Sequence, residues 1–186
     1  MADGVVENLV GSVKDTVVKI VKGTGEVTTS LTDAVSDSVT KAMEGAGNVA
    51  ETTTSTVTDV VTGAFSGIME AGGDAVASTT DVAAGAVKGV SKVGGDVVAA
   101  AGDVVHVSVT GAGKAGADVT QVALKSVEGV IGATTEVGGD VAGVTKSAVE
   151  GAIKAAGEVS EETVMAVKDV LVTSVKGAKE IIDAMK

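Results

Sequence analysis

An apolar rhythm of 11 residues runs through this chain without a slip. Cut from Ala2, sixteen full repeats reach Gly177, and Ala178–Lys186 forms a partial seventeenth. Positions one, four, five, eight and nine are predominantly apolar; position four reads Val60, Ala71, Val82, Val93, Val104, Ala115, Ser126 and Val137 through the middle of the chain. Position three is mostly acidic, as in Asp59, Glu70, Asp81 and Asp103. Eleven residues in three turns is about 3.67 per turn, close to the α-helical period. The apolar positions then share a stripe roughly 130° wide, with the acids opposite. A strand needs period-two alternation, which only short pieces such as VHVSV (105–109) possess. The predicted fold class is all-α.

Between Val57 and Ala166 the repeats pair into 22-residue units, clearest at 57–78, 79–100 and 123–144. Because the register is unbroken, the pattern predicts no hairpin turn and no domain boundary. It predicts one hendecad-repeat region over 1–186, a long continuous helix that bends, if anywhere, at the Gly-Gly pairs 72–73, 94–95 and 138–139. Such helices would associate as a right-handed or nearly straight coiled coil, a barrel or a filament. The alternative is a β-solenoid in which each GGD is a turn and each 22-residue unit one coil.

Propensity opposes a lone helix. Glycine costs about 1 kcal/mol relative to Ala in a helix interior, and the chain has 26 of them. Many lie on the margins of the stripe: Gly25, Gly47 and Gly102 at position two, Gly23, Gly45, Gly67, Gly89 and Gly111 at position eleven. Small residues on both margins let helices approach closely on two sides, so a helix with two neighbours is expected, folding only on assembly into a homo-oligomer.

The one aromatic residue is Phe65, and Trp, Tyr, Cys, Pro and Arg are absent. A net charge of −11 disfavours nucleic acid, which needs a basic face. No stretch of 18 apolar residues and no signal-peptide pattern stands out, which predicts a cytoplasmic protein, membrane- or lipid-associated at most.

No catalytic constellation emerges, so no enzyme, cofactor or metal is expected. His106, the sole histidine, has no second imidazole or thiol to make a metal site and reads as a surface residue. GAGKAGAD (111–118) lacks the GxxxxGK[ST] spacing of a phosphate loop. The acids Glu70/Asp74, Glu136/Asp140 and Glu158/Glu162 are four apart, the spacing of one helix face, and read as a solvated face. Pairs such as Asp15/Lys19, Lys22/Glu26, Asp37/Lys41, Lys92/Asp96, Lys114/Asp118, Lys154/Glu158 and Lys176/Glu180 have the spacing of helical ion pairs.

KSVEGVIGATTEV (125–137) resembles the lipid-binding repeats of synucleins, with Lys125, Glu128, Gly129 and Val130 on the Lys-x-x-Glu-Gly-Val core. SAVEGAIKAAGEV (147–159) is a second copy, its lysine Lys146 and its valine replaced by Ala152. The wider rhythm is similar to perilipin-type and late-embryogenesis-abundant repeats and to right-handed hendecad coiled coils. The resemblance implies lipid-surface binding, protection during drying, or self-association. Small margins where lipid-binding repeats carry lysines favour a non-catalytic structural protein that self-assembles through its Val/Ala/Gly stripe. An amphipathic coat on a droplet, granule or membrane surface is the alternative.

Overall fold

A computed structural model of the chain describes residues 2–23, 27–45 and 49–185. Gly25, Glu26 and Gly47 lie outside the described residues, and with Glu26 the Lys22/Glu26 pair. The all-α class holds, and among the described residues there is no strand; VHVSV lies inside a helix. The elements are α1 (Ala2–Gly23), α2 (Val27–Gly45), α3 (Val49–Glu70), α4 (Ala75–Lys92), α5 (Val97–Ala115), α6 (Val119–Val137), α7 (Val141–Val159), α8 (Glu161–Ser174) and α9 (Ala178–Ala184).

The single continuous helix is therefore wrong, and so is the β-coil: the 22-residue unit is one helix plus one turn. In α5, α6 and α7 the helix takes 19 residues, about 28 Å. The turn takes three. Gly72, Gly94, Gly116 and Gly138 each adopt a positive φ, between +69° and +76°. A residue bearing Cβ is strained there.

The next residue closes a Schellman motif. Gly73 N–H donates to the Ile68 carbonyl at 2.8 Å, Gly95 to Val90 at 3.0 Å, Ala117 to Ala112 at 3.0 Å and Gly139 to Thr134 at 2.9 Å. An aspartate then starts the next helix. The carboxylates of Asp74, Asp96, Asp118 and Asp140 accept from backbone N–H groups of the first turn at 2.9–3.1 Å, each cap contributing about 1 kcal/mol. Glu70/Asp74 and Glu136/Asp140 therefore do not share a helix face: the helix ends between them, and the aspartates are caps. Glu158 and Glu162 are likewise divided, by Ser160 in extended backbone, whose Oγ accepts from Thr163 N–H at 3.1 Å.

Each helix touches the next one and the next but one, and no other among the described residues. Odd and even helices thus form two layers. Within a layer the helices run parallel: Gly63 and Gly67 of α3 meet Val10 and Lys14 of α1 in ascending order, and Gly85 and Gly89 of α4 meet Thr32 and Ser36 of α2. The stack is quasi-one-dimensional, each unit leaning on its neighbours.

The apolar stripe is buried between helices of the same chain. Position four alternates with the turn: Val60, Val82, Val104, Ser126 and Ala148 are buried mid-helix, whereas Val93 is only half-buried and Ala115, Val137 and Val159 are exposed at helix ends. The core is almost wholly Val and Ala, with Leu31, Met43, Ile68 and Leu171 among the larger fully buried side chains. Three buried hydroxyls bond back to their own helix, Ser108 to Val104, Ser126 to Val122 and Thr134 to Val130, all at 2.7 Å, which satisfies them without a tertiary partner; the buried Ser36 hydroxyl has no partner among the described residues.

Candidate functional site

The layers are sewn by a row of small residues. Taking one position per helix, 22 residues apart, the chain reads Lys19, Lys41, Gly63, Gly85, Val107, Gly129, Gly151. Four residues further on, it reads Gly23, Gly45, Gly67, Gly89, Gly111, Ala133, Ala155. These are small-xxx-small rows of the kind that lets backbones touch. A Cβ on Gly85 would lie 2.5 Å from the Thr32 carbonyl oxygen, and one on Gly89 would lie 2.7 Å from that of Ser36. Gly129 and Gly151 meet Thr80 and Gly102 at 2.6 and 2.5 Å in the same sense. At such separations Cα–H···O contacts replace side-chain contact. This is where the margin glycines Gly67, Gly89 and Gly102 do their work, inside one chain.

Two rows depart from the pattern. Lys19 and Lys41, on α1 and α2, are exposed. Val107, on α5, faces an earlier helix, α3. Its bulk holds that seam open, and α3 and α5 share the least contact of any layer pair among α1–α7.

A cavity of about 280 Å³ occupies the gap. Phe65, Met69, Val107, Gly111, Ala115 and Val122 supply most of its wall, with the hydroxyl-bearing Thr62 and Ser66, and Lys114 is the one charged residue. A Cβ on Gly111 would meet nothing within 4 Å: the glycine expected to sit against a neighbouring backbone faces this space instead.

Ion pairs cross the same seams. Lys14 lies 2.9 Å from Glu70, Lys88 2.6 Å from Glu136 and Lys92 3.4 Å from Asp37. The charge of Lys14 and the hydrogen bond it gives hold the Glu70 carboxyl below its ordinary range. None of the expected same-helix pairs within the described residues is closed; of their lysines, Lys92 reaches across to Asp37 of the parallel helix instead. Partial burial pushes the Asp59 and Asp81 carboxyls up, offset at Asp81 by the Thr32 hydroxyl.

His106 is half-buried, its Nε2 2.8 Å from Glu158 Oε1 of α7. It acts as one more seam pair. GAGKAGAD is the last turn of α5 and its Gly116 cap. In the synuclein-like stretch, Lys125 pairs with Glu128 at 2.9 Å, while Gly129 and Val130 are buried against α4 and in the core. Among the described residues no group of three His, Asp or Glu side chains converges as a metal site, and no helix is long and apolar enough to cross a membrane.

Phe65 stands out in the sequence as the lone aromatic, without a motif around it to mark a site. The signal was there in the repeat: Val107 stands in a glycine row, and Met69 stands where other units carry Ser91, Gly113, Thr135 and Gly157. Compared with models of known protein families and with curated proteins, the chain matches none.

Proposed function

We propose that this chain is a non-catalytic structural protein whose folded stacks associate with one another through the C-terminal third. The stripe is spent inside the chain, so association draws on a different surface. One observation carries the reading. Of seven exposed large apolar side chains among the described residues, six fall between 137 and 185: Val137, Val141, Val159, Met165, Val172 and Met185. Lys19 and Lys41 are exposed on α1 and α2, whereas residues 137–185 carry exposed apolar side chains. Met165 is 66 % and Val172 42 % exposed, and seven residues apart on α8 they share a face. Sedimentation velocity over a range of concentrations tests this. The wild-type chain should form oligomers that Met165→Glu with Val172→Glu dissociates; a wild-type monomer at every concentration would end the proposal.

An amphipathic coat on a lipid surface is the second reading. It draws on the turns: between α3 and α7 short glycine-containing turns fold one stripe onto the next, and opening them would lay the stripe on acyl chains. Added vesicles should then expose the core to hydrogen exchange while helicity is kept. Full protection of Val60, Val82 and Val104 amides in the presence of vesicles excludes it.

A further inference from the structure

Three departures from the repeat, Phe65, Met69 and Val107, gather at one place, and a fourth accompanies them. Position 92 pairs with Asp37 across the α2–α4 seam. One unit later the corresponding residues are Lys114 and Asp59, across the α3–α5 seam. Among the described residues neither has an ion-pair partner. Val107 stands where a glycine closes the other seams, and the exposed Lys114 is among the residues that line the cavity. Phe65, Met69 and Val107 thus open and line an apolar slot, and Lys114 caps it with a positive charge in a chain of net charge −11.

The geometry points to a binding site for a free, single-chain fatty acid, its alkyl chain along Phe65, Met69 and Val107 and its carboxylate on Lys114. Size agrees. A cavity of about 150 Å³ lined by apolar side chains holds a six-carbon ring, so the 280 Å³ here suits a chain of roughly ten carbons. Chemistry agrees as well. The wall offers only the Thr62 and Ser66 hydroxyls besides carbon and sulfur, too few polar groups to orient a sugar or a nucleotide. The one charge selects an anionic end. The association proposed above is tested at Met165 and Val172 of α8, neither of which lines this cavity, so the two proposals can fail separately.

Isothermal titration of the full chain with decanoate, shorter fatty acids and decanol tests the assignment. One decanoate should bind per chain, with affinity rising about fourfold per methylene up to roughly ten carbons. Gly111→Leu points a side chain into the empty space and should cost at least tenfold in decanoate affinity, with circular dichroism unchanged. Met69→Glu, at the half-exposed rim, repeats the test should that variant fail to fold. Lys114→Gln should weaken decanoate about two- to fivefold, as loss of an exposed ion pair does, and leave decanol unchanged. No binding by the wild type, equal binding by Gly111→Leu, or uptake only in the presence of vesicles overturns the proposal.

Discussion

The α2–α4 and α3–α5 seams are built from the same unit, one step apart, and they behave differently. At α2–α4, Gly85 and Gly89 bring two backbones into contact and Lys92 closes on Asp37. At α3–α5, Val107 replaces the first glycine, Gly111 faces open space, and Lys114 and Asp59 stand apart. One β-branched side chain in the glycine row thus converts a closed seam into a cavity. Glycine is a poor helix former, and the closed seam is why the chain tolerates so much of it. The conformational penalty, about 1 kcal/mol per residue, is offset where removal of Cβ admits a neighbouring helix.

The largest way to break the comparison is bulk in the closed seam. Gly89→Leu would place a branched side chain where even a Cβ lies 2.6 Å from Val39 Cβ, and overpacking of that kind costs about 3 kcal/mol or more. Urea unfolding should show it as a lower midpoint, whereas Gly111→Leu should lose nothing. A smaller effect comes from closing the open seam. Val107→Gly costs less than about 1 kcal/mol in helix propensity and lets Lys114 reach Asp59. NMR titration of the Asp59 carboxyl should then move it from above the ordinary aspartate range to below it.

The smallest effect is in pH. Asp59 titrates above its unfolded value because it is partly buried, so the folded state takes up its proton first, and stability rises as pH falls through the folded value. Glu70 is the opposite case: Lys14 lowers its carboxyl. Its contribution is present above the unfolded value, about 4.3, and is lost as pH falls through the depressed one. Thermal midpoints should hold or rise slightly from pH 7 toward 5 and drop below about 4. Asp59→Asn should reduce the rise, leaving the part that belongs to the likewise raised Asp81, and stabilise the chain slightly at pH 7.

Helical class, the buried stripe and the importance of Gly67 and Gly89 were all legible in the residues. The Gly-Gly pairs 72–73, 94–95 and 138–139 stood out as places to bend, but that they end the helix was hidden by arithmetic. Nineteen helical residues and three turn residues make twice 11, so Gly94, Gly95 and Asp96 stop the helix without disturbing the count. Reading at period 22 instead separates two roles that period 11 averages: the same position is Gly63, Gly85, Gly129 and Gly151 in a seam, and Asp74, Asp96, Asp118 and Asp140 at a cap. Val137 shows the same averaging, a stripe position that the helix end leaves exposed. The departures at Val107 and Met69 are visible at period 22, but that they make a cavity depends on which helix Val107 meets. That partner, α3, is set by two turns, and no periodicity encodes it.

The central claim is that these glycines are kept for contact and not for flexibility, and one pair of methyl groups tests it. Gly89→Ala and Gly111→Ala add the same atom at the same repeat position, on neighbouring helices. Equilibrium urea unfolding of both should give opposite signs. Gly89→Ala should destabilise by about 1–2 kcal/mol net of its gain in propensity, because its Cβ meets Val39 and the Ser36 carbonyl. Gly111→Ala should stabilise by about 0.5–1 kcal/mol, because its Cβ meets nothing. Stabilisation by both would contradict the closed seam, and destabilisation by both would contradict the open one.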